Sequence, residues 1–377
     1  TDALDRSADR IKDKQAELAK MTELIQTEIT KVSDDAKLAS TKFQSTLDLL
    51  MEKLKSAGIS TDVLYVLSLK QEIARRRPSV AILLDLPDFN LRLARFLKRQ
   101  GIPVVYYISP QVWAWRKYRV NAIRRRVDRM LVVFPFEKTF YDANGVSAEF
   151  VGHPVLEQVQ RRAQYRTQAE VEAAPRIALL PGSRPSELRH HAGLLRELAV
   201  RLKVLYPQSE IRVPVASTLS VEEVDLHFAG APVEVLGGDS RQTLEWADIA
   251  AVASGTATLE TAIIGTPFCL FYRMSPSTAW VIRHLIRYRR FFGMPNLLHG
   301  KEVVREFLHE KATAEALLSE CRWMIEDERY RLGLADQLAA CRSLLGDPGA
   351  SARAASSIVQ LLRQLPFNEA ALVPAPV

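Results

Sequence analysis

The sequence is poor in cysteine, and its first part lacks proline and glycine altogether. Only Cys269, Cys321 and Cys341 occur, no two of them in a CxxC. An odd, scattered set of three excludes a disulfide framework or a four-cysteine zinc site and fits a reducing compartment. No run of about 18 apolar residues is present, so no segment is expected to span a membrane. The start carries no charged-then-apolar secretory pattern. It also lacks a Met, which fits a fragment or a processed chain. Acidic charge is the scarcer sign: 51 Lys and Arg face 44 Asp and Glu, a net +7. That balance favours anionic partners without choosing among nucleic acid, acidic lipid and phosphorylated small molecules.

The first Gly is Gly58 and the first Pro is Pro78. Before them, Leu4, Ile11, Leu18, Ile25 and Val32 recur every seven residues, and Phe43, Leu47, Leu50 and Leu54 continue an apolar stripe. Residues 1–60 therefore read as amphipathic helix. It either lies on its own domain or pairs in a weak coiled coil, interrupted at Lys14, Glu28 and Asp35. The second alternative leaves a homo-oligomer open.

From about residue 62 the pattern alternates between short apolar runs and amphipathic stretches. Strands are expected at 79–84, 104–108, 130–134 and 149–151. A second series follows at 176–180, 211–215, 233–236, 249–253 and 268–272. Helices are expected near 91–100 and 187–206 and through the tail, 313–365. This is the signature of parallel α/β sheets. It divides the chain into an α/β domain at 61–155, another at 156–345 and a C-terminal helix and tail at 346–377. Two Rossmann-like domains facing a cleft are the expected fold, and ligands of such sheets bind past the carboxyl ends of strands.

The residues that carry chemistry sit there. Asp85 directly follows an apolar run and can serve as the base that takes a proton from an attacking hydroxyl. Asp88 and Asn90, in the same turn, suit the cap of the next helix. Trp113 and Trp115 flank a second loop beside Arg116. Their rings suit a sugar face or an acyl chain, or else the core. In a third loop, Gly182, Ser183 and Arg184 precede a helix start, which favours phosphate. Arg184 adds a fixed positive fork there. In a fourth, Ser254, Gly255 and Thr256 open another helix. Glu260 shares a face with Thr256 and can accept hydrogen bonds from ribose hydroxyls. Asn296, after Pro295, reads as a contact to a uracil edge or as a turn stabiliser. The preceding basic and aromatic run from Trp280 to Phe292 suits an anionic membrane surface or a core helix with one basic face. No spacing suggests a metal site, and no cofactor is expected.

Taken together, LLDLPDFN, YYISPQVWAWR, PFEKTFYDANGV, FVGHP, LLPGSRPSE, ASGTATLE and MPNLL, in this order, resemble the lipid A disaccharide synthases over about residues 64–365. The resemblance implies a GT-B fold and a cytoplasmic enzyme peripheral on the inner membrane of a Gram-negative bacterium. It implies inverting transfer from UDP-2,3-diacylglucosamine to 2,3-diacylglucosamine 1-phosphate, with UDP leaving. Asp85 is then similar to the family's essential acid and Arg184 to its essential arginine. Ser254, Gly255, Thr256, Glu260 and Asn296 match its UDP-binding segments. Residues 1–60 do not resemble the family, whose opening strand and glycine-containing loop are missing. The first α/β domain, on the acceptor side, is therefore expected to be incomplete. Two other readings follow: a non-catalytic member acting through a helical arm, and another UDP-sugar enzyme such as a UDP-N-acetylglucosamine 2-epimerase. A nucleic-acid partner is not expected, because the basic residues form no recognised module.

Overall fold

The computed structural model describes residues 61–114, 116–273 and 291–364, with residues 61–68 described by backbone alone. The segment expected to be amphipathic helix, 1–60, and Trp115 lie outside the described residues, as does nearly all of the basic aromatic run. The chain forms two compact units. One runs to Pro154 and resumes at Pro348; the other is Val155–Asp347.

The first unit is a four-stranded parallel sheet in the order β1-β2-β3-β4, formed by Ala81–Leu84, Val104–Tyr107, Arg129–Val132 and Ala148–Phe150. The β1 strand is followed by the helix Pro87–Arg99, with Pro87 in its first turn and Gly101, at φ 71°, just past its end. This is the asymmetry expected of proline and glycine at helix ends. Leu91, Ala94 and Leu97 recur on the buried face and join Val104, Tyr106, Met130 and Val132 in one core. Each such large apolar side chain contributes about 1.5–3 kcal/mol. Leu69 and Ile73, from the helix Thr61–Arg76, pack against the same core. The opposite face of the sheet is covered from far along the chain. Ala354, Ile358 and Leu361, on the helix Ala350–Gln364, meet Val105, Tyr107, Leu131 and Val133. At the edge, β1 leaves Ile82 and Leu84 exposed.

The second unit is a six-stranded parallel sheet. Its strands are β5 (Arg176–Leu180), β6 (Glu210–Pro214), β7 (Glu234–Leu236), β8 (Ile249–Ala253), β9 (Phe268–Tyr272) and β10 (Glu306–Leu308), in the order β10-β9-β8-β5-β6-β7. This is the doubly wound order, with the winding reversing between β5 and β8. Most strands fall within a residue or two of the positions expected from the apolar runs. The exception is β10. It is three half-buried residues long, and no apolar run marks it.

Candidate active site

The two loops expected to hold phosphate, after β5 and β8, leave adjacent strands at the point where the winding reverses. That point is where open α/β sheets bind ligands. The first loop turns at Gly182, φ 111°. A Cβ there would lie 2.4 Å from Glu187 Oε2 and 2.9 Å from Glu187 Cβ, so only glycine fits. Glu187 is buried in the first turn of the helix Pro185–Leu205. Its carboxylate accepts the Ser183 N–H at 3.0 Å and pairs with Arg184 at 3.3 Å. The Arg184 side chain is nevertheless 75% exposed, open to an incoming anion. Thr218 Oγ1 donates to the Ser183 carbonyl and ties the loop to the segment after β6.

Beneath this loop lies His191, fully buried. Its Nδ1–H donates to the Pro181 carbonyl (2.6 Å), and Nε2 accepts the Arg273 N–H (3.0 Å). Nε2 also lies 3.1 Å from the Arg273 carbonyl. Burial holds the imidazole below its ordinary pKa. His191 thus ties the end of β5 to the end of β9.

After β8, Ser254 is half-buried and Gly255 and Thr256 are exposed. A Cβ on Gly255 would meet no atom within 4 Å, so the backbone stands clear. The helix Ala257–Ile264 starts here without a side-chain cap; the N–H groups of Thr258, Leu259 and Glu260 donate to the Gly255 and Thr256 carbonyls, and the helix start carries the positive end of the dipole. Glu260 is half-buried, and its Oε1 accepts from Arg241 Nη2 at 3.1 Å. The same guanidinium reaches Gln158. Asn296 is placed differently from the base-reading alternative. It is fully buried, and its amide is occupied on all sides. Nδ2 donates to the Val304 carbonyl and to Glu306 Oε1, both at 2.8 Å, and Oδ1 accepts from the Val303 and Val304 N–H groups. Glu306 in turn accepts the Gly293 N–H at 2.8 Å. Asn296 is therefore the organiser of this turn, the other of its two expected roles.

In the first unit, β1 ends in two consecutive left-handed residues, Asp85 at φ 46° and Leu86 at φ 40°. Such backbone costs energy in non-glycine residues and persists only when its surroundings fix it. Here Asn90 Nδ2 donates to the Leu84 and Asp85 carbonyls (2.8 and 2.6 Å), and the Tyr106 hydroxyl donates to the Asp85 carbonyl at 2.5 Å. The Asp85 side chain is exposed and has no ion pair among the described residues. The capping role expected of Asp88 and Asn90 is not what they do. Leu86 is the N-cap, without a side-chain bond. Asn90 reaches backwards to hold the turn, and Asp88 pairs with Arg116 at 3.1 Å and with Arg119. The Arg119 guanidinium, then the Arg116 charge, hold the Asp88 carboxyl below its usual range.

Trp113 is buried, a correction to the ligand-facing role expected from its loop. Its ring stands edge-on to Phe136 at 4.9 Å, and its Nε1–H donates to Glu137 Oε1 at 3.1 Å. Glu137 is 2% exposed. It also accepts the Ser109 hydroxyl (2.8 Å) and the Phe134 N–H (3.2 Å), and burial pushes its carboxyl up to about 7. One carboxyl therefore fastens the loop after β2 to the helix after β3. Glu137, His191 and Glu306 were absent from the expected site. Apart from the Phe134 N–H, three residues from Glu137, their partners lie from 10 to 82 residues away in sequence, and no local spacing reveals such pairs.

A family model described as lipid-A-disaccharide synthetase matches residues 45–345. A lipid-A-disaccharide synthase of Koribacter versatilis is 41% identical over 307 residues, 78% of this chain and 79% of its own. One of Myxococcus xanthus is 42% identical over 300 residues, 78% of each chain. The chain belongs to the lipid-A-disaccharide synthase family. Membership makes it a glycosyltransferase and favours neither the epimerase nor the helical-arm reading. The match starts at residue 45, inside the segment that the seven-residue pattern had set apart. Among solved structures, a Staphylococcus aureus MnaA–UDP complex has a TM-score of 0.54 at 13% identity, covering 81% of this chain and 83% of its own. A Neisseria meningitidis UDP-GlcNAc 2-epimerase bound to UDP-GlcNAc has 0.51 at 11%, covering 79% and 81%. At such identities the likeness is one of fold, the two-domain GT-B type. The synthase motifs LPDFN, WAWR and PGSR are the segments whose loops are described above.

Proposed function

We propose that this synthase joins 2,3-diacylglucosamine, delivered by UDP-2,3-diacylglucosamine, to 2,3-diacylglucosamine 1-phosphate. The observation that carries the reading is the pair of phosphate-suited loops at the β5/β8 reversal, with Arg184 exposed above them. In this mechanism the acceptor hydroxyl attacks the anomeric carbon in line. The bond to the UDP oxygen breaks with inversion, and Asp85 takes the hydroxyl proton. Arg184 and the backbone around Gly182, Ser183, Ser254 and Gly255 neutralise the departing diphosphate. Thr256 and Glu260 serve the nucleoside, with Arg241 holding the carboxylate. Asn296, Trp113 and Glu137 position the loops. Arg116 assists on the acceptor side. Donor and acceptor are acylated, which supports work at an anionic membrane surface, on the cytoplasmic face of the inner membrane. Among the described residues no helix is long and apolar enough to cross a membrane.

The test is UDP release in detergent by the unsubstituted chain, Asp85→Asn and Arg184→Ala. Each variant is expected to lose about a hundredfold or more in kcat. Near-normal turnover by Asp85→Asn would remove it as the base, and unchanged turnover by Arg184→Ala would overturn the placement of the diphosphate.

A further inference from the structure

Between Asp88 and Asp128 the sequence has ten Lys and Arg and no acidic residue at all. The fold gathers five of them. Arg95, Lys98 and Arg99, from the end of the helix Pro87–Arg99, and Arg125 and Arg126, from the end of the helix Val120–Arg126, line one concavity of about 490 Å³. Among the described residues the only carboxylate paired with any of the five is Asp128, bound to Lys98 at 2.6 Å. Two of the five are held in place by backbone: Arg126 donates to the Leu91 carbonyl (2.8 Å) and Arg125 to that of Asn121 (3.1 Å). Burial first, then the neighbouring charges of Arg95 and Arg125, lower the Arg126 pKa. The cluster is thus crowded with like charge, and among the described residues Asp128 is the one carboxylate that meets it.

It is also remote from the transfer chemistry. Asp128, which holds Lys98, accepts the N–H of Val104, the first residue of β2. The cluster therefore sits by the amino ends of the strands. Asp85 and the loop of Arg116 follow carboxyl ends. The helix that separates Asp88 from Arg99 is about 18 Å long at 1.5 Å per residue.

We propose that Arg95, Lys98, Arg99, Arg125 and Arg126 form a second anion site that takes phosphate groups, separate from the site of sugar transfer. Guanidinium groups converging from two helices suit phosphate oxygens through paired N–H bonds. A phospholipid headgroup and a free pyrophosphate present the same chemistry, and the experiment separates them.

The full chain is compared with the triple variant Arg95→Gln/Arg99→Gln/Arg125→Gln. A control of equal charge loss on the second unit is Arg196→Gln/Arg322→Gln/Arg329→Gln. All six positions are exposed on helices, so folding is preserved, and turnover in detergent should be unchanged in the first triple. One arm measures co-sedimentation with vesicles of phosphatidylcholine alone or mixed equally with phosphatidylglycerol. The other measures inorganic pyrophosphate binding by calorimetry. The first triple should lose roughly a hundredfold in affinity, and the control should lose little. Loss confined to phosphatidylglycerol vesicles assigns a headgroup; loss of pyrophosphate binding without vesicle retention assigns a soluble phosphate. Equal loss in both triples would mean diffuse attraction and would overturn the site. So would binding of neither probe, or retention unaffected by the substitutions.

Discussion

The two sheets are built on one plan, strand then loop then helix, yet they prepare their carboxyl-end loops in opposite ways. In the second unit the loops after β5 and β8 are made of small residues, with Arg184 and the Gly255 backbone facing solvent and the bracing groups, Glu187 and His191, beneath. In the first unit the loops after β1 and β2 are locked from within. Asn90 and Tyr106 grip the Asp85 turn, and Glu137 grips Ser109 and Trp113. The difference suits the role proposed for each. A diphosphate is bound by bare backbone N–H groups and a cation, whereas a carboxylate base must be aimed, which here means fixing a strained turn.

The contrast breaks most sharply at Gly182. Gly182→Ala puts a Cβ against Glu187 and requires a positive φ. It should displace the loop and lower kcat by about a hundredfold, as loss of transition-state donors does. Equal activity would show that this loop is not the diphosphate cradle. Next in size is Asn296→Ala. It removes four internal hydrogen bonds and leaves buried backbone groups unpaired, a loss of about 4 kcal/mol in denaturant unfolding. A loss of UDP affinity with unchanged stability would instead return Asn296 to the base-reading role. The smallest effect concerns Glu137. Its carboxyl titrates near 7 when folded, against 4.5 ordinarily. The folded state thus keeps a proton that the unfolded chain has released. The stability that this group contributes is full below about pH 4.5 and falls, by about 3 kcal/mol, as pH rises to about 7. Glu137→Gln should flatten that slope in thermal melts across this window. An unchanged slope would mean that the latch carries no proton.

These variants also mark what was legible in the sequence. Arg176–Leu180, Ile249–Ala253 and Phe268–Tyr272 were readable to the residue, because fully buried parallel strands are unbroken apolar runs. That Asp85, Arg184 and the SGT turn follow strand ends was readable from the apolar runs before them. The direction of a side chain was not. Asn90 resembles a cap in sequence, but Leu86 already occupies the cap in a left-handed conformation, so the amide turns back to the strand end. Trp113 resembles a ligand platform, but a buried carboxyl 24 residues on captures its N–H. Short-range pattern carries periodicity and turn chemistry; it does not carry which polar group a ring or amide meets across the sheet.

The helix Ala350–Gln364 covers a sheet whose last strand ends at Phe150. On a ribosome making roughly 5–20 residues per second, about 200 residues separate the two, or some 10–40 s of synthesis. Throughout that interval Val105, Tyr107, Leu131 and Val133 have no helix above them. The Val155–Asp347 unit, meanwhile, emerges whole and can close on its own. The first unit to be synthesised is therefore the last to be finished, and its open apolar face is what a chaperone would meet on the nascent chain.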